Sequence, residues 1–347
     1  MKQRATIVAT LAVFASVTLA GCALLPGGQT PAHALSLTGF VETTSTDVIS
    51  GSANVLDVVG IDGVAVNSDG KGVAAPNADA VAQLAVAHDK HLLGELLVSN
   101  YDDTLADFSP DIAKALLGDP GNQQTVAKAL AGYVTDQGWD GIMIDLESLT
   151  ADDAAGLTSF AKAVRGAIGD GKRLDIAVMA SPDAAGYGTA GYDLAGLSGI
   201  VDHVTLMAYD QHGAFDPKTP GPVGSLDWTR KSLKALLKSV PADHVDLGIA
   251  AYGYAWAPDK AYVVTPAEAR ALAAKDAVTP EFNADAGEWT TTLADTTVLW
   301  WSDGASMAAR LDIAREFALD GAAIWSLNQA DPLAPTPTTA PTEPPAS

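Results

Sequence analysis

Apolar residues along this chain switch repeatedly between two periods. Short runs that are largely apolar, or that alternate apolar with polar, predict strands over residues 35–41, 55–64, 91–99, 140–147, 173–180, 203–209, 245–251 and 321–327. Between them, apolar positions recur three and four residues apart and predict helices over 78–88, 123–137, 150–168, 228–239 and 305–319. Punctuation supports these bounds. The helix at 123–137 stops before Gly138, Thr150-Ala-Asp-Asp153 has the form of a capping box, and Asn67-Ser-Asp-Gly70 reads as a turn after the second strand. Strands alternating with helices argue for a parallel α/β fold. Eight strands over roughly 250 residues suit a (β/α)8 TIM barrel. An open doubly wound sheet is the alternative, but no Gly-x-Gly-x-x-Gly opens a helix to support a nucleotide fold. Residues 257–304 break the alternation with a helix over 266–275 and strand-like pieces around 289–293 and 297–301. They read as a small α+β insertion on the catalytic face, between the seventh strand and the last helix.

The two ends differ from this core. Lys2 and Arg4 precede an uncharged apolar run over 5–20, the pattern of a secretory signal peptide, here residues 1–21. The run closes on Leu19-Ala20-Gly21-Cys22, which resembles the lipobox of bacterial lipoproteins. That resemblance implies that Cys22 is lipidated and holds the protein on the outer face of the cell membrane. Residues 22–34 read as a flexible tether, 35–331 as the barrel, and 332–347, with repeated Pro and Thr, as a disordered tail. Cys22 is the only cysteine, so a disulfide framework and a thiolate metal site are excluded, and a large core must do the stabilising. The apolar share of 48% allows one. A net charge of −22 argues against nucleic acid as a partner. No His/Asp/Glu cluster has metal-ligand spacing in sequence, so no metal and no cofactor are expected, and the protein is expected to be a monomer.

Candidate chemistry gathers at strand ends. In Asp140-Gly-Ile-Met143-Ile-Asp145-Leu-Glu147, strand alternation puts Met143, Asp145 and Glu147 on one face and Ile142, Ile144 and Leu146 on the other. A carboxylate pair buried in a core would be costly; at a barrel mouth it is a site. Four further segments reach the same rim: Met207-Ala-Tyr209-Asp210-Gln211-His212, Ala251-Tyr252-Gly-Tyr254-Ala-Trp256, Trp300-Trp301-Ser-Asp303 and Ala323-Ile-Trp325-Ser-Leu327. Carboxylates among many aromatics fit sugar chemistry, in which an acid protonates an oxygen while flat rings stack on sugar faces.

These motifs, in this order, resemble the family 18 glycoside hydrolases, which include chitinases and N-acetylglucosaminidases. The family hallmark Asp-x-x-Asp-x-Asp-x-Glu is matched at Asp140–Glu147, its sixth-strand Met-x-Tyr-Asp at Met207–Asp210, its seventh strand at Gly248–Gly253, and its eighth-strand tryptophan at Trp325. The stretch from Val298 to Trp325 is most similar to the branch that degrades peptidoglycan in spore-forming bacteria. The resemblance implies substrate-assisted retaining hydrolysis of a glycan containing N-acetylglucosamine, an exception to the two-carboxylate scheme. Glu147 would be the general acid and then the base, while Asp145 would orient the substrate's acetamido group. Tyr209 would bond the acetamido oxygen and Asp210 would support the sugar. Trp325 would form the floor, with Met207, Gln211, Tyr252 and Trp256 as further substrate-binding residues.

One position departs from the pattern. Met143 stands where the family carries an acid or amide that partners the next aspartate, so Asp145 is expected to lose that partner and the pH profile to change. The departure keeps a second reading open: a lectin-like lipoprotein with the same barrel and impaired catalysis. A solute-binding lipoprotein of an importer would need two hinged lobes, against which the single alternating run argues.

Overall fold

The computed structural model describes residues 34–42 and 46–333. The expected signal segment, Cys22, nearly all of the tether and all but the first two residues of the Pro/Thr-rich tail lie outside the described residues. Eight parallel strands close a barrel: β1 (Ser36–Val41), β2 (Val58–Ala65), β3 (Leu93–Ser99), β4 (Gly141–Asp145), β5 (Arg173–Met179), β6 (His203–Met207), β7 (Val245–Ala250) and β8 (Gly321–Trp325). Neighbours in sequence are neighbours in space, and β8 closes on β1. The expected (β/α)8 barrel is therefore the fold.

The helices expected from periodicity occupy Ala78–Asp89, Pro120–Gln137, Ala154–Ile168, Leu226–Leu236 and Gly304–Glu316. Their apolar stripes meet the outward faces of the strands, so that Ile142, Ile144 and Leu146 share one core with Val126, Leu130, Leu157 and Phe160. Gly138 ends the second of these helices at φ 85°, a conformation that costs glycine nothing. At Thr150, the backbone N–H and the hydroxyl both donate to Asp153 Oδ2, at 2.9 and 2.8 Å. The capping box thus exists, but it opens a 3-10 turn, Ala151–Asp153, before the helix proper begins. Short helices at Asp47–Ser52, Pro110–Leu117, Ala184–Thr189 and Leu194–Ser198 are too brief to show a helical period in the sequence.

Inside the barrel, strand register defines layers. Asp62 pairs with Leu97, and Leu97 with Met143, across β2, β3 and β4. In a closed barrel of this kind each strand is staggered by one residue, and alternate strands supply the side chains of one layer. Followed around the ring, the register assigns Asp62 (β2), Asp145 (β4), Met207 (β6) and Trp325 (β8) to one layer at the C-terminal mouth. Below it, β1, β3 and β5 contribute Phe40, Leu97 and Ala177, and the next even layer contains Met143 and Ala323. These residues make an apolar plug directly under the mouth.

The insertion is a five-stranded antiparallel sheet in the order Ala261–Val264, Gly253–Trp256, Val298–Trp301, Glu288–Thr292, Glu281–Asn283, covered by the helix Pro266–Lys275. It starts four residues earlier than the sequence suggests. Gly253–Trp256 reads as the rim of β7, yet it pairs with Val298–Trp301 and Ala261–Val264 and belongs to the insertion. Trp301, also expected at the barrel rim, is buried in the insertion core with Ala255, Val264 and Leu299. A buried ion pair fixes this sheet to the barrel. The Glu288 carboxylate accepts the N–H groups of Val223 and Gly224 at 2.8 and 2.9 Å and meets Arg310 of the last helix.

Candidate active site

A cleft of about 400 Å³ opens at the C-terminal mouth and is lined by Asp145, Glu147, Met207, Tyr209, Asp210 and Trp325, among others. The sequence therefore brings its main candidates to one place. Asp145 ends β4 at 5% exposure, and its Oδ1 meets no hydrogen-bond partner among the described residues. Burial, and then the charge of Asp62, raise its pKa to about 7. Glu147 follows the strand by two residues and is held by its backbone. Its N–H donates to Asn100 Oδ1 at 2.9 Å, and Asn100 Nδ2 donates to the Glu147 carbonyl at 3.0 Å. The same amide donates to the carbonyl of Ser109 at 2.9 Å, so both Asn100 amide atoms are used. Burial first, then the charges of Asp145, Asp210 and Asp107, push the Glu147 carboxyl well above its usual range. A carboxyl that holds its proton more tightly than usual and faces an open cleft can act as a general acid.

The β6 end supplies the opposite wall. The Tyr209 hydroxyl is kept protonated by burial and by the neighbouring carboxylates, so it remains a hydrogen-bond donor. Its ring occupies space that a Cβ on Gly248 would reach, at 3.1 Å from Tyr209 Cε1. Asp210 lies in the left-handed region at φ 57° and accepts from the hydroxyls of Tyr252 and Tyr254 at 2.5 and 2.8 Å. Trp325 lies across the floor against Phe40, with ring centroids 5.6 Å apart.

Three expected sugar contacts lie elsewhere. Tyr252 and Trp256 are each 4% exposed and do not line the cleft. Tyr252 acts through Asp210, and Trp256 donates its indole N–H to the Asp216 carbonyl at 3.2 Å. With Tyr254 they form a buried aromatic cluster packed against Tyr209 and Trp325, so they back the cleft wall rather than line it. Gln211 is spent on the loop after β6: its Oε1 accepts the Ser225 N–H at 2.9 Å. Asp140, the first residue of the hallmark, sits below the strand and accepts the Gly94 N–H and bonds His88, both at 2.9 Å.

Other cleft residues were not anticipated. Asp107 and Phe108 come from the hairpin formed by Tyr101–Asp102 and Asp107–Phe108, Met179 from the end of β5, and Phe215 from the loop after β6. Phe215 is 69% exposed, a large apolar surface that a ligand could cover. Asn100, just past the end of β3, carried a weak signal as a polar residue where a barrel puts its chemistry, and Asp62 carried one as the lone carboxyl inside the apolar strand β2.

The opposite end of the barrel holds a separate charge cluster. Arg173 contacts Glu95 and Asp175 at 2.6 Å and Asp246 at 3.3 Å, while His203 bridges Asp175 and Asp320. Asp175, His203 and Asp246 come close enough to resemble a metal triad, and they converge from three strands, which sequence spacing cannot reveal. The Arg173 guanidinium already supplies the positive charge there.

A family model described as glycosyl hydrolases family 18 matches residues 79–330. The Bacillus subtilis glycosylase YvbX is 27% identical over 258 residues, covering 71% of this chain and 74% of that protein. The cortical fragment-lytic enzyme of the same organism is 24% identical over 255 residues, covering 68% of this chain and 57% of the enzyme. Among solved structures, a chitinase from Chromobacterium violaceum superimposes with a TM-score of 0.77 at 24% identity, covering 86% of this chain and 96% of that one. The spore cortex-lytic enzyme SleL of Bacillus megaterium does so with a TM-score of 0.75 at 21% identity, covering 86% and 71%. The motifs at the mouth, the barrel beneath them and the span of the family match agree, and the chain belongs to glycosyl hydrolase family 18.

Proposed function

We propose that the protein hydrolyses β-glycosidic bonds beside N-acetylglucosamine by a substrate-assisted, retaining route. The observation that carries this reading is Glu147, a carboxyl whose pKa burial and neighbouring carboxylates push well up, set in an open cleft beside Asp145. Glu147 donates its proton to the glycosidic oxygen as that bond breaks. The carbonyl oxygen of the substrate's own 2-acetamido group attacks the anomeric carbon and forms an oxazolinium ion. Asp145 accepts the acetamido N–H and faces the developing positive charge, while the Tyr209 hydroxyl donates to the acetamido oxygen. Asp210, braced by two tyrosines, orients the sugar. Glu147, now a carboxylate, takes a proton from water as that water opens the oxazolinium. Trp325 provides a flat apolar floor for the bound ring.

The substrate we favour is a peptidoglycan fragment, since one relative is named a cortical fragment-lytic enzyme and one similar structure a spore cortex-lytic enzyme; a chitin-like oligosaccharide is the other candidate. The lipobox-like sequence ending in Cys22 supports a lipoprotein on the outer face of the cell membrane, close to such a polymer. Met143 favours a second reading, a carbohydrate-binding protein with weakened catalysis. Fluorogenic N-acetylglucosamine oligosaccharides and purified peptidoglycan, given to the protein and to Glu147→Gln, separate the two. Turnover that falls by about 10²-fold or more in the variant supports the enzyme. Tight binding by both proteins, with turnover by neither, supports the lectin.

A further inference from the structure

The mouth layer contains a second carboxyl that the hydrolytic scheme above does not use. Asp62 on β2 and Asp145 on β4 belong to the same ring of inward-facing side chains, together with Met207 and Trp325. Met143 is one even layer deeper, packed among Phe40, Leu97, Ala177, Met207 and Ala323. The thioether of Met143 neither takes up nor releases a proton at ordinary pH. Asp145 Oδ1 is buried without a partner among the described residues, an arrangement that disfavours the charged carboxylate. The side chain is thus held over an apolar plug, and a carboxyl stands level with it across the barrel mouth.

We propose that Asp62 is the positioning residue for Asp145, serving as the acceptor for the Asp145 proton when an acetamido group binds. This rests on the reading of the cleft as an N-acetylglucosamine site. The Asp145 carboxylic acid gives its proton to the Asp62 carboxylate, by way of water where the groups do not touch. Asp145 becomes the anion that accepts the acetamido N–H, and Asp62 becomes the neutral acid. On release of the sugar the proton returns, and the charge of the pair is unchanged throughout. Glu147 keeps its own proton for the glycosidic oxygen, because Asp145 has another place to send its one.

The surrounding groups are arranged for this exchange. Asp62 is partly buried and feels the charges of Glu42, just past β1, and Asp103, in the hairpin after β3. Asp145 feels Asp62, and its own charge reaches Glu147, Tyr209 and Tyr192. Burial and these neighbours lift Asp62 to about 6 and Asp145 to about 7. Two carboxyls so closely matched titrate as a pair that retains one proton between those values, and moving it between them costs little.

The test counts protons. Binding of a β-1,4-linked N-acetylglucosamine tetramer to Glu147→Gln, followed by calorimetry at pH 6.5 in buffers of different ionisation enthalpy, should release close to no protons. With Asp62→Asn added, Asp145 must discharge to solvent, and release should rise to about half a proton per site. A further Met143→Asp substitution, which restores a carboxyl beneath Asp145, should bring it back down. Equal proton release with and without Asp62 overturns the proposal. Carboxyl 13C titration of the unliganded protein tests it without any ligand. Asp145 should titrate in two coupled steps that become one, ending at lower pH, in Asp62→Asn; an Asp145 titration that does not move overturns the proposal. Loss of turnover in the wild type, with this proton pattern intact, would instead count against the hydrolase reading alone.

Discussion

At the scale of single residues, a few backbone and side-chain atoms hold two carboxyls at the barrel mouth. Asn100 is the residue through which Glu147 is aimed, since it occupies both the N–H and the carbonyl of the acid's own peptide units. Asn100→Ala removes these bonds and leaves the carbonyls of Glu147 and Ser109 to find other partners. A displacement of the acid by about an ångström costs on the order of 10²-fold in rate. We therefore expect kcat to fall by about that factor while KM changes little, measured on fluorogenic oligosaccharide beside a circular dichroism check of folding. Asp145 and Glu147 were legible in the chain because strand alternation and spacing put them on one face. Asn100 and Asp62 carried only a weak signal as polar residues in or beside apolar strands; their roles were not legible, because these depend on which strands become neighbours, and a single sequence does not state that pairing.

At the scale of elements, the loop after β6 and the insertion behave as one structure. Glu288 from the insertion sheet takes the N–H groups of Val223 and Gly224, and Arg310 of the last helix bonds the carbonyls of Gly224, Gly287 and Ser306. Arg310 is 1% exposed, so its substitution leaves the Glu288 charge buried without its cation. Arg310→Met should lower stability by about 3–5 kcal/mol, read from the midpoint of denaturant unfolding. A loss under 1 kcal/mol would show that the loop and sheet hold together without the pair. The elements themselves were largely readable: eight strands and five long helices lie within a few residues of where periodicity placed them. The edge of the insertion was not. Gly253-Tyr-Ala-Trp256 is as apolar as a barrel strand end, and only its antiparallel pairing with Val298–Trp301 shows which sheet it serves. Trp256 in that strand and Tyr252 just before it pack with Tyr254 against Tyr209 and Trp325, and support the cleft wall without lining it.

At the scale of the whole molecule, buried carboxyls at both ends of the barrel give stability a common pH dependence. Burial raises the folded-state pKa of Asp62 to about 6 and of Asp145 and Asp246 to about 7, against 3.8 for the model carboxyl. The folded chain therefore binds more protons than the unfolded chain between pH 4 and 7. Stability falls as pH rises through that window, by about 1.4 kcal/mol per pH unit for each extra proton held. His203, raised by Asp175, acts in the same direction, since its contribution is present below the unfolded pKa and is lost as pH rises through the folded one. Asp175, despite its burial, is held below 3.8 by His203 and Arg173 and is ionised in both states across this window; its contribution is lost only at lower pH and leaves the trend unchanged. Scanning calorimetry should give a higher Tm at pH 5 than at pH 8, and the reverse order would contradict this assignment of the buried charges.

The central claim is that the substrate's acetamido group attacks the anomeric carbon while Glu147 supplies the proton. The anomer released first reports this most directly. Proton NMR of a β-linked N-acetylglucosamine oligosaccharide, recorded from the first moments after enzyme is added, should show the β anomer appearing before mutarotation, and no product with Glu147→Gln. First appearance of the α anomer, or turnover undiminished in Glu147→Gln, would contradict it.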